Sequence, residues 1–320
     1  MRNVLCVTCL PVDNLVTQQP TVNLIDGKKT SEDIKNEIRS EVENMIANGQ
    51  RAPHLVAVLV GDDGASQTYV ANKIRTCADV GFRSTLRKFD ADATEEDLIR
   101  CVEELNADEG VDGFIVQLPL PAHIDVHRVT ERIDPVKDVD GFHPVNLGRM
   151  TEELPAYIPA TPKGILQLIE RYGIQTEGKH CVVVGRSNIV GTPISILLSR
   201  NSYPGNCTVT LTHSRTQNLR DITLQADILI AAIGKPWFIK ADMVKEGAVV
   251  IDVGMTRVDD PSRKAGFRLA GDVDFDNVAP RCSAITPVPG GVGPMTIIGL
   301  LQNTLLAAQH RIYPAHVSHA

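Results

Sequence analysis

Tyr69 and Lys73 stand four residues apart in the run SQTYVANK, with Ser66 one turn earlier. On a helix that spacing puts the phenol and the amine on one face. A tyrosine hydroxyl beside a lysine amine can order a reacting group and shuttle a proton. Burial beside an apolar substrate would lower the lysine pKa toward neutrality. Spacing alone favours a plainer alternative, an exposed helix with an ordinary tyrosine and lysine. VQLPLP is more pointed, because it sets the polar Gln117 between Val116 and Leu118 at the end of an apolar strand. That is where α/β sheets present ligand contacts. DPVKDVDGFHPVN gathers Asp134, Asp138 and Asp140 around a lysine and a glycine turn. With no second acidic cluster nearby, no metal is expected there. One buried aspartate recognising an N–H-rich heterocycle is the more economical use. In ITPVPGGVGPMT, Pro287, Pro289 and Pro294 stiffen a turn whose Gly290, Gly291 and Gly293 let backbone approach a ligand or a neighbouring segment.

A second kind of chemistry is written in VVVGRSNIVGTP. An apolar strand runs into a glycine turn and then a helix, the layout of a dinucleotide-binding loop. Gly185 and Gly191 are present, but Ser187 stands where the middle glycine of G-x-G-x-x-G belongs. A serine hydroxyl and amide can still donate to a phosphate at a helix N-terminus. This fingerprint is weak alone, since a glycine at such a turn is often only structural. The next strand ends in THSRTQN, with no acid at the edge where an NAD site places one for the ribose hydroxyls. Ser214 and Arg215 stand there instead, and Arg186 adds a second guanidinium. Arginine suits phosphate geometry, so the combination favours the 2′-phosphate of NADP.

The elements that must position these groups alternate. Ile34, Ile38, Val42 and Ile46 give helical spacing over 32 to 48, with Ser31 as the expected cap. HLVAVLVG reads as a buried parallel strand, SQTYVANKIRTCADVG as a helix closed by Gly81, then STLRKF, the helix TEEDLIRCVEELNAD and the strand DGFIVQLPLP. The second half alternates in the same way, with helix TPKGILQLIERYG, strand HCVVVG, helix TPISILLSRN, and strands in CTVTLTHS, ADILIAAIG and AVVIDVG. GPMTIIGLLQNTLLAAQHRIY closes the chain as a long, amphipathic helix. The expected fold is α/β in two domains, with helices covering mostly parallel sheets and a boundary between Gly148 and Pro162.

Composition narrows the class. The 320 residues are 43% hydrophobic and 22% charged, with a formal charge of −7 and no dense basic run. Nucleic-acid binding is not expected, and no apolar stretch approaches the roughly 20 residues of a membrane span. The seven cysteines are scattered and odd in number, which fits reduced thiols in the cytosol. Cys6 and Cys9 form a lone C-x-x-C best taken as chance spacing. Residues 1 to 22 lack both signal-peptide and transit-peptide character and read as a flexible extension, or as an upstream start chosen in error.

YVANK, GFIVQLPLP, KDVDGFHPVNLGRM, TPKGI, VVVGRSNIVGTP, HSRT and TPVPGGVGPMT occur in one order. Together they resemble the bifunctional methylenetetrahydrofolate dehydrogenase/methenyltetrahydrofolate cyclohydrolase family, from about Asn23 to the last helix. The set is highly specific, unlike any single member of it. The resemblance implies a folate-binding catalytic domain (23–150, completed by 288–320), a Rossmann-type NADP domain (151–287), and a substrate cleft between them. It implies that Lys73 is the key cyclohydrolase residue, positioned by Tyr69 and tuned by Gln117, and that Asp140 holds the pterin ring. Val116, Leu118 and Pro289, Gly290, Gly291, Val292 and Gly293 would line the substrate site. Gly185, Arg186, Ser187, Ser214, Arg215 and Met255 would take the cofactor. A homodimer in the cytoplasm is implied as well. One departure stands out: many members read Gly-Ile-Asn where this chain has Gly254, Met255 and Thr256. The family's contact there is by backbone and should survive the change. Two alternatives account for less of the chain: another NADP-dependent dehydrogenase, of shikimate or amino-acid type, and a non-enzymatic NADP sensor.

A chain that starts at Asn23 is expected to fold and keep its activities, because residues 1 to 22 show no core periodicity. Solubility and turnover of the truncated protein check this, and loss of either would place the tail within the domain.

Overall fold

The computed structural model describes residues 23–263 and 266–314. The extension 1–22, with Cys6 and Cys9, lies outside the described residues. The chain enters through a two-residue strand, β1 (Asn23–Leu24), and turns into helix α1 (Gly27–Ala47). The helix starts about a turn before the expected position 32. Asp26 caps it, accepting from the Lys29 amide at 2.9 Å. Ser31, the expected cap, sits inside, its hydroxyl donating to the Lys28 carbonyl at 2.7 Å. The early start has a tertiary cause. A Cβ at Gly27 would lie 1.8 Å from the Gly291 carbonyl oxygen, so the first turn of α1 is pressed directly onto the late glycine loop.

The first α/β unit follows as β2 (His54–Val60), α2 (Gly64–Asp79), β3 (Arg83–Phe89), α3 (Glu95–Ala107) and β4 (Gly113–Val116). Its three strands are parallel in the order β3-β2-β4. The central strand β2 is buried at every position, whereas the edge strand β3 is mostly solvent-facing. Two short helices, α4 (Val126–Thr130) and α5 (Pro144–Thr151), lead to α6 (Ala160–Arg171).

The second unit runs β5 (His180–Val184), α7 (Gly191–Ser199), β6 (Thr208–Thr212), α8 (Leu219–Thr223), β7 (Ile228–Ala231) and β8 (Val249–Asp252). It continues with β9 (Thr256–Asp259), β10 (Phe267–Ala270), α9 (Phe275–Val278), β11 (Ala284–Ile285) and α10 (Val292–Ala308). Six strands form a parallel sheet in the order β1-β11-β8-β7-β5-β6. β9 and β10 pair as a separate antiparallel hairpin. Asn23 and Leu24 therefore belong to this second sheet, against the expectation that residue 23 opens the first unit.

The closing helix also departs from expectation. It is buried around most of its circumference, at Met295, Ile298, Leu300, Leu301, Asn303, Thr304 and Leu305 among others. A helix apolar on all sides is one sandwiched within a core; α10 packs on α6, α1, α2, β2 and β4. Small residues bring it close. A Cβ at Gly299 would lie 2.3 Å from the Ala160 carbonyl oxygen, and one at Gly164 would lie 2.7 Å from Met295 Cβ. Among the described residues, no helix is long and apolar enough to cross a membrane.

In an exposed helix Gly→Ala would stabilise by up to about 1 kcal/mol. At Gly299 the clash reverses the sign, and Gly299→Ala should cost about 1–3 kcal/mol. A lower urea midpoint at constant m-value checks this; a raised midpoint would mean that the two helices do not touch there.

Candidate active site

A cavity of about 840 Å³ lies between the two units. Helix α2 forms one wall. Its N-terminus is fixed by Asp63, whose carboxylate accepts from the Ser66 amide at 2.7 Å. Tyr69 faces the cavity, and one turn on Lys73 is only 5% exposed. The Lys73 Nζ sits 4.7 Å above the Tyr69 ring and donates to Gln117 Oε1 at 3.3 Å. Gln117 is held at the end of β4 by its own amide, which donates to the Val58 carbonyl at 2.9 Å. Its Nε2 donates to the Leu118 carbonyl at 2.7 Å, which leaves Oε1 turned to the lysine.

The electrostatics follow from burial. Desolvation pulls the Lys73 amine below its ordinary pKa, and attraction to Asp140 and Cys77 resists the shift. Desolvation pushes the Asp140 carboxyl up, opposed by Lys73. Burial drives the Tyr69 phenol upward despite a hydrogen bond with Thr296, so it stays protonated. The site therefore offers an amine that gives up its proton more readily than an exposed lysine, beside a neutral phenol.

The opposite wall is the late glycine loop. Pro289, Gly290, Gly291, Val292 and Gly293 all line the cavity, as do Leu118 and Met255. Gly290 takes φ of +111°, and its carbonyl accepts from the Lys28 amide at 2.8 Å. The loop's tightness thus serves its seat on α1 as much as any ligand. Val116 differs from the expectation: its side chain is buried in a hydrophobic core, and it does not line the cavity. Thr296, Thr161, Asn72 and Asp252 also line the cavity, beyond the residues expected there. Thr296 and Asn72 belong to TPVPGGVGPMT and YVANK, but nothing in their spacing marks them.

The nucleotide loop lies at the carboxyl edge of the second sheet. Gly185 takes φ of +120°, and a Cβ there would lie 2.1 Å from the Ala232 carbonyl oxygen. A Cβ at Gly191 would lie 1.9 Å from the Gly185 oxygen. Both glycines are required by backbone meeting backbone. The Ser187 Oγ accepts from the Val190 and Gly191 amides at 3.2 and 3.4 Å, so it braces the start of α7 and keeps its own proton free to donate. Gly185 donates to the Thr212 carbonyl at 3.0 Å, which sets this loop beside Ser214 and Arg215. Arg186, Ser214 and Arg215 are exposed, and neither guanidinium is in an ion pair among the described residues. None of the three lines the cavity, but Ile189 and Val190 of the same loop do, making one surface from the sheet edge to Lys73's neighbourhood. The open donors of Arg186, Ser214 and Arg215 at this sheet edge fit the phosphates of a dinucleotide cofactor.

Two parallel α/β units, one with a dinucleotide loop, meet at a cleft beside a buried lysine, an arrangement that suits a nucleotide-dependent oxidoreductase. Residues 25–140 match the tetrahydrofolate dehydrogenase/cyclohydrolase catalytic domain, and residues 159–312 match the NAD(P)-binding domain of the same name. The chain is 64% identical over 287 residues to the bifunctional protein FolD of Cytophaga hutchinsonii, covering 90% of this chain and 99% of that one. The Porphyromonas gingivalis protein of the same name is 59% identical over 291 residues, 91% and 98% of the two chains. The crystal structure of the Campylobacter jejuni bifunctional FolD superposes with a TM-score of 0.85 at 42% identity, over 91% and 99%. The Trypanosoma brucei dehydrogenase-cyclohydrolase, solved with NADP and an inhibitor, gives 0.86 at 39% identity, over 92% and 99%. The chain belongs to the tetrahydrofolate dehydrogenase/cyclohydrolase family. It is a bifunctional enzyme, an NAD(P)-dependent methylenetetrahydrofolate dehydrogenase and methenyltetrahydrofolate cyclohydrolase. The other dehydrogenase types and the nucleotide sensor are set aside.

Arg186→Ala and Arg215→Ala are expected to raise the KM for NADP⁺ by about 10- to 100-fold each, the worth of a hydrogen bond to a charged group. NAD⁺, lacking the 2′-phosphate, should be affected far less. Equal losses with both cofactors would mean that the arginines do not read the phosphate.

Proposed function

We propose that one cleft performs both steps, with Lys73 moving protons, Tyr69 and Gln117 positioning it, and Asp140 holding the pterin. The observation that carries this reading is the Lys73–Gln117 contact beside a cavity between the units. Gly290, Gly291 and Val292, with Leu118, wall the folate, and Val116 supports Gln117 from within β4. NADP is preferred to NAD, because open guanidiniums stand where an acid would favour the ribose hydroxyls. We assign residues 25–150 and 288–320 to the folate unit and 151–287 to the cofactor unit, with β1 contributing to the latter's sheet. The enzyme works as a homodimer in the cytoplasm.

The division of labour follows from the chemistry. When bound, the cofactor supplies an acceptor for the hydride leaving the one-carbon bridge of 5,10-methylenetetrahydrofolate. The resulting methenyl cation is stabilised by the folate nitrogens, so this step asks the protein mainly for orientation. Asp140 and the late glycine loop provide it. Hydrolysis asks for more. Water bonds to the methenyl carbon, the bond to one ring nitrogen breaks, and 10-formyltetrahydrofolate forms. A proton must leave the water and another must reach the departing nitrogen. The lowered pKa that burial gives Lys73 supports assigning it that transfer.

General acid–base help is worth about 10²–10⁴-fold. Lys73→Gln keeps length and polarity but removes the titrating amine. Cyclohydrolase turnover should collapse by that factor while a measurable share of dehydrogenase turnover survives and methenyltetrahydrofolate accumulates. Parallel assays on one purified variant test this, and equal losses in both steps would make Lys73 a binding or structural residue instead.

A further inference from the structure

Two buried carboxylates outside the roles above stand behind the cofactor side of the cleft. Asp252 ends β8 and is 3% exposed, and Asp272, just past β10, is fully buried. Backbone amides satisfy both. Asp252 accepts from Gly254, Asp272 and Val273, each at 2.9 Å. Asp272 accepts from Ile233 at 2.6 Å, Gly234 at 3.0 Å and Lys235 at 2.8 Å. The packing is reciprocal. A Cβ at Gly271 would lie 2.0 Å from Asp252 Oδ2, and one at Gly254 would lie 2.4 Å from Asp272 Oδ1. Each carboxylate thus occupies the space that a side chain beside the other would need.

The three segments so joined are not arbitrary. The 232–235 segment follows β7 and backs the nucleotide turn, since Ala232 is what excludes a side chain at Gly185. The 252–255 segment starts at the last residue of β8 and lines the cavity. Both leave the carboxyl edge of the parallel sheet, where doubly wound folds hold their ligands. Desolvating carboxylates is costly, and it pushes Asp252 up to about 7 even with three amides opposing the shift. Apolar packing could have joined these loops at lower cost, whereas a fully satisfied polar network specifies a single arrangement.

We propose that Asp252 and Asp272 are positioning residues for hydride transfer, locking the 232–235 and 252–255 segments so that the reactive ring of the nicotinamide cofactor stops at one depth in the cleft. This rests on the placement of the cofactor along this edge. The cyclohydrolase step provides an internal control, because it needs the folate wall but not the depth of the ring.

The test is Asp272→Asn, which keeps the shape but turns an NH₂ group toward one of the three amides. Three quantities are measured: dehydrogenase kcat, hydrolysis of methenyltetrahydrofolate without cofactor, and NADP⁺ affinity by calorimetric titration. Dehydrogenase kcat should fall about 100-fold, the cost of a misplacement near 1 Å. Cofactor-free hydrolysis should keep its parental value, and the NADP⁺ dissociation constant should rise less than kcat falls. Equal loss of both activities together with a lowered Tm would make the pair purely structural and overturn the proposal, as would an unchanged dehydrogenase. Arg215→Ala is titrated alongside. Unchanged NADP⁺ affinity there would overturn the cofactor placement itself, a failure distinct from that of the aspartates.

Discussion

The hydrogen bond from Lys73 to Gln117 is the interaction on which the rest of the site depends. A lysine amine out of water is costly unless something meets it. Here it is met by an amide oxygen at 3.3 Å, an aromatic face at 4.7 Å and the attraction of Asp140. Those partners come from a helix, the end of a strand and a loop, so the amine's environment exists only when the whole first unit is assembled. The same arrangement is what makes the amine useful. Burial favours its neutral form, and the carboxyl nearby keeps the shift from running to completion.

The second constraint is the closeness of the two units. The closing helix returns from the nucleotide-binding sheet to the first unit and packs on α6 with glycine against backbone. Its N-terminal loop reaches α1, where Gly27 has no room for a side chain. The two units are thereby parts of one packed body, which would suit a reaction in which a hydride crosses between ligands held by different sheets. The groups proposed for proton transfer, Lys73, Tyr69 and Gln117, all lie in the first unit. On the proposed reading, two chemistries share one cavity because they ask for different things, position in one case and a titrating group in the other.

Much of the fold and site is legible in the chain alone. The central strands show as short apolar runs, and Gly185, Gly191 and the late glycine loop mark places needing backbone freedom. Tyr69, Gln117 and Met255 do face one cavity. What the chain alone hides depends on long-range contact. Asp26 caps α1 directly after β1, which pairs with β11 over two residues against two, too short a strand to show any periodicity. The last helix looks amphipathic until three layers close around it. Val116 alternates into the core because strand pleat, not proximity to Gln117, decides where its side chain goes. Asp252 and Asp272 look like ordinary loop-edge acids, and only the fold shows that each receives three amides. Ser187 reads as a phosphate donor, but its oxygen also braces its own loop.

Both the mechanism and the site's stability turn on the state of one amine. NMR titration of the Lys73 Cε–Nζ group, in the parent chain and in Asp140→Asn, measures it directly. Lys73 should titrate below the ordinary 10.5, because burial disfavours its charge, and lower still once the Asp140 carboxylate is neutralised. A Lys73 that titrates at or above 10.5, or that ignores the loss of Asp140, would contradict the tuned amine at the centre of the mechanism.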